Sequence, residues 1–158
     1  MLAQDGATEQ VLSKVKDLGA DIMVIVEQEA NLNSPDLSER LERSLQYYPS
    51  FFELLEDSDV LWEMHFRRQI GNVVACEGIN RVERIESFAQ WQNRLSQAGF
   101  CAVPQQVDKL KIDFGLYLNK HGIEEKEGHN IVLSWNGFPL AVASVWKVTN
   151  PPQLSGGE

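Results

Sequence analysis

Five consecutive apolar residues, Ile22-Met23-Val24-Ile25-Val26, run straight into Glu27-Gln28-Glu29 and constrain the fold more than any other stretch of the chain. The run is rich in β-branched residues and too short for an ordinary helix, so it predicts a strand buried on both faces. Such a strand asks for parallel neighbours on either side and helices above and below. The expectation is therefore an α/β chain.

The flanking patterns are helical. Thr8 stands as the cap of a short helix with Val11, Val15 and Leu18 inward and Gly19 at its end. Ser34-Pro35 opens a long helix whose apolar residues Leu37, Leu41, Leu45, Tyr48, Phe52 and Leu55 share one stripe. Pro49 lies inside it and is expected to kink or break it. Ser58-Asp59 begins a third helix with Trp62, Phe66, Ile70 and Val73 inward and Gly78 as its stop. Ser87-Phe88-Ala89-Gln90 is a capping box, followed by a buried face of Phe88, Trp91, Leu95 and Ala98 and closed by Gly99. Phe100–Val103 is a second strand candidate, and Val107, Leu110, Phe114 and Tyr117 mark one more helix ending at Gly122. The end of the chain turns to β: Ile123–Glu127 is weakly strand-like, and Asn130–Trp135 and Phe138–Lys147 flank Asn136-Gly137, the strongest short hairpin signal.

Composition narrows the function classes. A formal net charge of −9 repels phosphate backbones, so direct DNA binding by this segment is not expected and a protein partner is. No apolar run approaches the roughly 20 residues of a spanning helix, and no membrane partner is expected. The start, MLAQDGATEQ, has neither a basic segment nor an apolar core, and the chain holds no Asn-x-Ser/Thr sequon; both fit an intracellular address. Cys76 and Cys101 lie in apolar surroundings without CxxC spacing and read as reduced thiols.

Chemistry-bearing candidates are few. Glu27 and Glu29 end a strand where open α/β sheets bind ligands, and period 2 sets them on one face. No serine, cysteine, histidine or metal-type cluster accompanies them, so a loop-ordering role is the better reading. His65, His121 and His129 have no ligand spacing, and no metal is expected. There is no glycine-rich phosphate loop. Arg81, Glu83, Arg84 and Glu86 alternate in sign and read as paired charges at a helix junction. Arg67, Arg68, Arg81, Arg84 and Arg94 together would make a basic face, which spacing alone does not establish. Trp91, Trp135 and Trp146 read as core anchors, each with an N–H that needs an acceptor.

The stretch Val73–Glu86, VVACEGINRVERIE, resembles the ACEG…RVER core of the GRAS family of plant transcription regulators, with Cys76, Glu77, Gly78, Arg81, Glu83 and Arg84 at its motif positions. Around it stand the family's other elements in order. These are VIVEQEANLN at Val24–Asn33 with Glu27, Tyr47-Tyr48 at the FY position, and Trp91 with Gly99 as W-x7-G. Leu133-Ser134-Trp135 fits L-x-W, and Ser144-Val145-Trp146 stands in place of Ser-Ala-Trp. The departures are Ala20 for the proline of PFYRE and Arg68-Gln69 for its Arg-Glu pair.

The resemblance implies a Rossmann-like sheet of the S-adenosylmethionine methyltransferase type, here partial, with flanking helices and a C-terminal antiparallel hairpin. It implies the C-terminal part of a GRAS domain over 1–147, with a PFYRE region over about 20–98 and a SAW region over about 99–147, while Pro151-Pro152 and Ser155-Gly156-Gly157 by themselves read as a flexible tail at 148–158. The family's leucine-heptad and VHIID regions belong upstream. The function implied is that of a non-enzymatic, nuclear transcription-regulator module without cofactor. Its partners would be other transcription regulators, including GRAS homo- or heterodimers. The alternative is a methyltransferase-like enzyme whose cofactor half lies outside this chain. An open apolar sheet edge that promotes association is also expected.

Overall fold

The computed structural model describes residues 6–54, 60–104, 121–126 and 130–149, the stretch 121–126 by its backbone. The predicted helix at Val107–Tyr117, the Ser58-Asp59 start and most of the predicted tail lie outside them.

In chain order the elements are α1 (Ala7–Asp17), β1 (Met23–Gln28), α2 (Leu37–Leu54), α3 (Val60–Ala75), a short 3-10 turn (Gly78–Asn80), α4 (Phe88–Gln97), β2 (Phe100–Ala102), β3 (His121–Lys126), β4 (Asn130–Trp135) and β5 (Phe138–Val148). The fold is α/β, and it closes on the predicted hairpin. Trp135 pairs with Phe138 across Asn136-Gly137, whose φ values of 49° and 79° are those of a primed turn.

β5 is the centre of the sheet. It pairs with β1 along one side, and with β4 and then β2 along the other, so that Trp146 stands between Met23 and Ala102. β3 continues the sheet beyond β4. On one face Leu140, Val142, Ser144 and Trp146 alternate inward. Trp146 packs there with Leu12 of α1, Leu95 of α4, Phe100 and the β1 residues Met23 and Ile25. A second core joins Tyr47 and Tyr48 of α2, Phe66 and Val73 of α3, and Trp135 and Leu140 of the hairpin.

Several expectations are corrected. The pairings of β1 and its neighbours are antiparallel, and β1 is covered on one face: Val24 and Val26 are 61% and 68% exposed. Strand alternation sends Met23 and Ile25 into the α1–α4 core and these two valines to the other side. In α2 the period is helical but the phase differs. Arg40, Ser44, Tyr47 and Tyr48 are buried, while Leu37, Leu41 and Leu45 are 47%, 47% and 67% exposed. The tyrosines and a fully bonded guanidinium take the inner face instead. Pro49 does not break α2, because Pro49 and Leu45 both lie on its exposed side, where water can satisfy the freed Leu45 carbonyl.

Smaller differences have the same origin. Leu12 is the buried residue of α1, with Val11 and Leu18 exposed, and Gly6 rather than Thr8 precedes the helix. Trp62, in the first turn of α3, is 55% exposed and meets the His65 ring edge-on. α3 ends at Ala75, before Gly78, which opens the 3-10 turn at φ 55°. Gly122 lies within β3 rather than at a helix end. The predicted tail begins too early, since β5 runs to Val148 and Thr149 donates its N–H to Gly99 O at 2.9 Å.

Trp146 is 1% exposed, and its indole N–H donates to Ser144 Oγ at 2.8 Å. Trp91, by contrast, is half-buried, so it is not the core anchor expected. Trp146→Ala should cost about 3–5 kcal/mol in chemical denaturation, and Trp91→Ala distinctly less; equal losses would contradict this placement.

Candidate functional site

Open α/β sheets bind ligands beyond the carboxyl ends of their strands. At the end of β1 that position is occupied by the loop 29–36, which is bonded to four other parts of the chain. Glu29 N–H donates to Leu140 O at 2.9 Å, and Leu32 N–H to Ile85 O at 3.0 Å. The Glu29 carboxylate accepts the Phe88 N–H at 2.8 Å, so it serves the first turn of α4, where a negative charge is favoured. At the same turn Gln90 Oε1 accepts the Ser87 N–H at 3.0 Å, the reach-back bond of the expected capping box.

The basic residues close on the same loop. Arg40, fully buried, donates to Val73 O, Ser34 O and Pro35 O and pairs with Glu77. Arg81 donates to the same Ser34 O, at 2.9 Å. Arg84 donates to Asn33 Oδ1 and to Gly78 O. Burial, with Arg40 and Arg84 nearby, pulls the Arg81 pKa below its ordinary value. Glu86, 3% exposed, accepts two bonds from Arg94 at 2.8 and 2.9 Å and one from Asn33 at 2.9 Å. These bonds hold the Arg94 pKa above its usual value.

The expected ion-pair ladder is therefore a different device. Among the described residues Arg81, Glu83 and Arg84 make no ion pair; the arginines serve carbonyl and amide oxygens, and the Glu83 N–H donates to Asn72 Oδ1. Nor is there one basic face. Arg67 and Arg68 are exposed on α3, Arg81 is buried, and Arg94 is bound to Glu86 and Glu9. Cys76 is half-buried and unbridged beside the exposed Glu77.

The tyrosines link α2 to the hairpin. Tyr47 O–H donates to Leu140 O at 2.6 Å, and Tyr48 O–H to Gln69 Oε1 at 3.0 Å. Gln69 and Gln28 form a closed amide pair at 3.1 and 2.9 Å. Trp135 donates to Glu53 Oε2 at 3.0 Å; Leu133, in the same strand, is half-buried. A Cβ on Gly99, at φ 86°, would lie 2.7 Å from Lys16 Nζ. Sequence reasoning missed Arg40, and named Gln69 only as a departure from the Arg-Glu pair without its bonds to Gln28 and Tyr48; the signal for Arg40 was its spacing to Ser44, Tyr47 and Tyr48 on one helical face.

Glu27 is half-buried, and burial raises its pKa. Hollows of about 170 Å³ beside Glu29 and Phe88 and about 130 Å³ beside Tyr47 and Arg43 lie near the loop. Both are below the roughly 300 Å³ at which small-molecule pockets begin. Among the described residues no group of three metal-ligating side chains occurs.

Gln69 holds the position of the acid in the Arg-Glu pair, and its amide N–H₂ is needed by Gln28. Gln69→Glu should cost about 1–3 kcal/mol at neutral pH, shrinking as the pH falls toward about 4 and the new acid protonates; an unchanged midpoint in urea would refute the amide pair. Burial raises the phenol pKa values of both tyrosines, helped by their mutual proximity at Tyr47 and by the Glu83 charge at Tyr48. Unfolded tyrosine ionises from about pH 10 while these stay neutral, so stability should be intact below that pH and fall as it rises further. Tyr47→Phe and Tyr48→Phe should each flatten the fall seen in denaturation at pH 8 and 10.5.

A family model described as the GRAS domain family matches residues 1–147. The DELLA protein GAIP of Cucurbita maxima is 43% identical over 165 residues, covering 98% of this chain and 28% of that protein. The DELLA protein GAI of Arabidopsis thaliana is 37% identical over 159 residues, covering 94% of this chain and 30% of that protein. The chain thus spans less than a third of these relatives. The crystal structure of SCL7 from Oryza sativa matches with a TM-score of 0.83 at 25% identity, over 93% of this chain and 44% of that one. This likeness fits the partial Rossmann-like sheet. The chain belongs to the GRAS domain family.

Proposed function

We propose that this chain is a module of a nuclear transcription regulator and acts through protein–protein contact rather than catalysis. Proteins of the GRAS and DELLA kind are transcription regulators, and the family match carries that role here as a proposal. The observation that supports the non-catalytic part is the use of Glu29. The carboxylate best placed for chemistry at the end of β1 is committed to the Phe88 N–H, and the loop around it is bonded to the chain itself. Trp146, Trp135 and the arginine-bonded junction then act as scaffold, holding surfaces that partners read. The partners of this reading are other transcription regulators, GRAS proteins among them. The net charge of −9 sets direct DNA contact by this segment aside.

The test is a binding panel of purified sequence-specific transcription factors and GRAS proteins, read by interferometry, with a nuclear reporter as the functional readout. Micromolar or tighter binding to a panel member, with a matching reporter change, is expected; a blank panel with an unchanged reporter would refute the reading. Calorimetric titration of the complete protein, upstream half of the domain included, with S-adenosylmethionine should give no binding heat, and a micromolar Kd would restore the methyltransferase alternative.

A further inference from the structure

Resting on the regulator reading, we propose that the hollow between the first turn of α4 and strands β4 and β5 is a socket for a lysine side chain of a partner protein. Glu29, Phe88, Gln92, Asn130, Val132 and Val142 line it, around a volume of about 170 Å³. That is small for a free metabolite and suited to one side chain. The observation that points to an occupant is Asn130. It is 3% exposed, and its Oδ1 has no hydrogen-bond partner. Buried amide oxygens are bonded as a rule, and an unanswered one is a cost that an incoming donor relieves. The β4–β5 register sets Val132 beside Val142 and Asn130 beside Ser144, and strand alternation puts Asn130 on the same face as Val132. Ser144 does not serve it, since the serine hydroxyl is taken by the Trp146 N–H. The terminal amide of Asn130 turns about a two-fold torsion, so its oxygen can follow a donor into the hollow.

The remaining groups select the donor. Glu29 gives Oε2 to the Phe88 N–H, and its Oε1 has no bond among the described residues. It is the one charged group among these lining residues, so an anion is opposed and a neutral ligand would leave its charge unmet. An ammonium carries three N–H donors and no acceptor. Glu29 Oε1, Asn130 Oδ1 and the Gln92 amide oxygen are three acceptors for it, and Phe88, Val132 and Val142 are apolar walls for its methylene stem. The five donors of a guanidinium would outnumber the acceptors in so small a space. Ala89, also at the hollow, is exposed, so a side chain can enter from a docked surface. The net charge of −9 draws basic partners toward it.

The test follows amide NMR signals of the isotope-labelled 158-residue chain during titration with Nα-acetyl-lysine amide and, in parallel, its uncharged counterpart Nα-acetyl-norleucine amide. The lysine compound should shift the Phe88 and Ala89 backbone signals and the Asn130 side-chain signals, and bind at least tenfold more tightly than the norleucine compound. Glu29→Gln keeps an oxygen for the Phe88 N–H but removes the charge, and Asn130→Val removes the unanswered oxygen. Each should weaken binding at least tenfold, with unmoved Val73 and Trp135 signals showing that the fold is kept. Three results overturn the proposal: no shift with the lysine compound, as for a hollow that holds only ordered water; equal shifts with both compounds; or binding indifferent to both variants. The transcription-factor panel is run on the parent chain and on Glu29→Gln, and a member that binds should lose at least tenfold with the variant. Panel binding that ignores the variant removes this inference and leaves the regulator reading. A lysine-specific titration with a blank panel keeps the socket and removes the regulator reading.

Discussion

Two guanidinium groups, from Arg40 and Arg81, meet at the carbonyl oxygen of Ser34. Like charges so close are tolerable only because each makes bonds that a neutral residue could not. Arg40 satisfies three backbone carbonyls and the Glu77 carboxylate, tying the first turn of α2 to the last turn of α3. Arg81 brings the segment after the 3-10 turn onto the same oxygen, although its buried Nε finds no acceptor. Leaving such a donor unmade costs about 1–3 kcal/mol, which the junction as a whole offsets. With Glu86 holding Arg94 and Asn33, three helices and the β1 loop share one polar knot.

Signals that act over a few residues are legible in the sequence. The Asn136-Gly137 turn, the Ser87–Gln90 cap, the inward Phe66 and Val73, and the buried Trp146 all stand where local chemistry puts them. Legibility ends where the partner is remote. Spacing shows that Arg81 and Glu83 are near one another, but not that Arg81 serves a carbonyl in a distant loop. In α2 the apolar stripe has the helical period but lies on the outer side. Leu41 and Leu45 are more apolar than Arg40 and Ser44, yet the polar pair is inside: the Arg40 guanidinium is bonded through each of its nitrogens and the neighbouring tyrosine hydroxyls have partners, while the small Ser44 is buried with its hydroxyl unbonded among the described residues. The Met23–Val26 run misleads for a related reason. Its apolarity signals two covered faces, and the described residues cover one.

β5 couples these parts. Leu140 belongs to the tyrosine-rich core and Trp146 to the α1–α4 core, on the same face of one strand. β5 also supplies the pairing partner for β1, β2 and β4. Neither core is therefore complete until the end of the chain has arrived, and the pairing of Met23 with Trp146 closes nearly the whole sequence. Such non-local pairing is slow to form, since loop closure is paid before contacts reward it. Until then the valines of β1 are open on both sides. β1, whose pairing among the described residues is with β5 alone, is thus the strand most dependent on the arrival of the end of the chain.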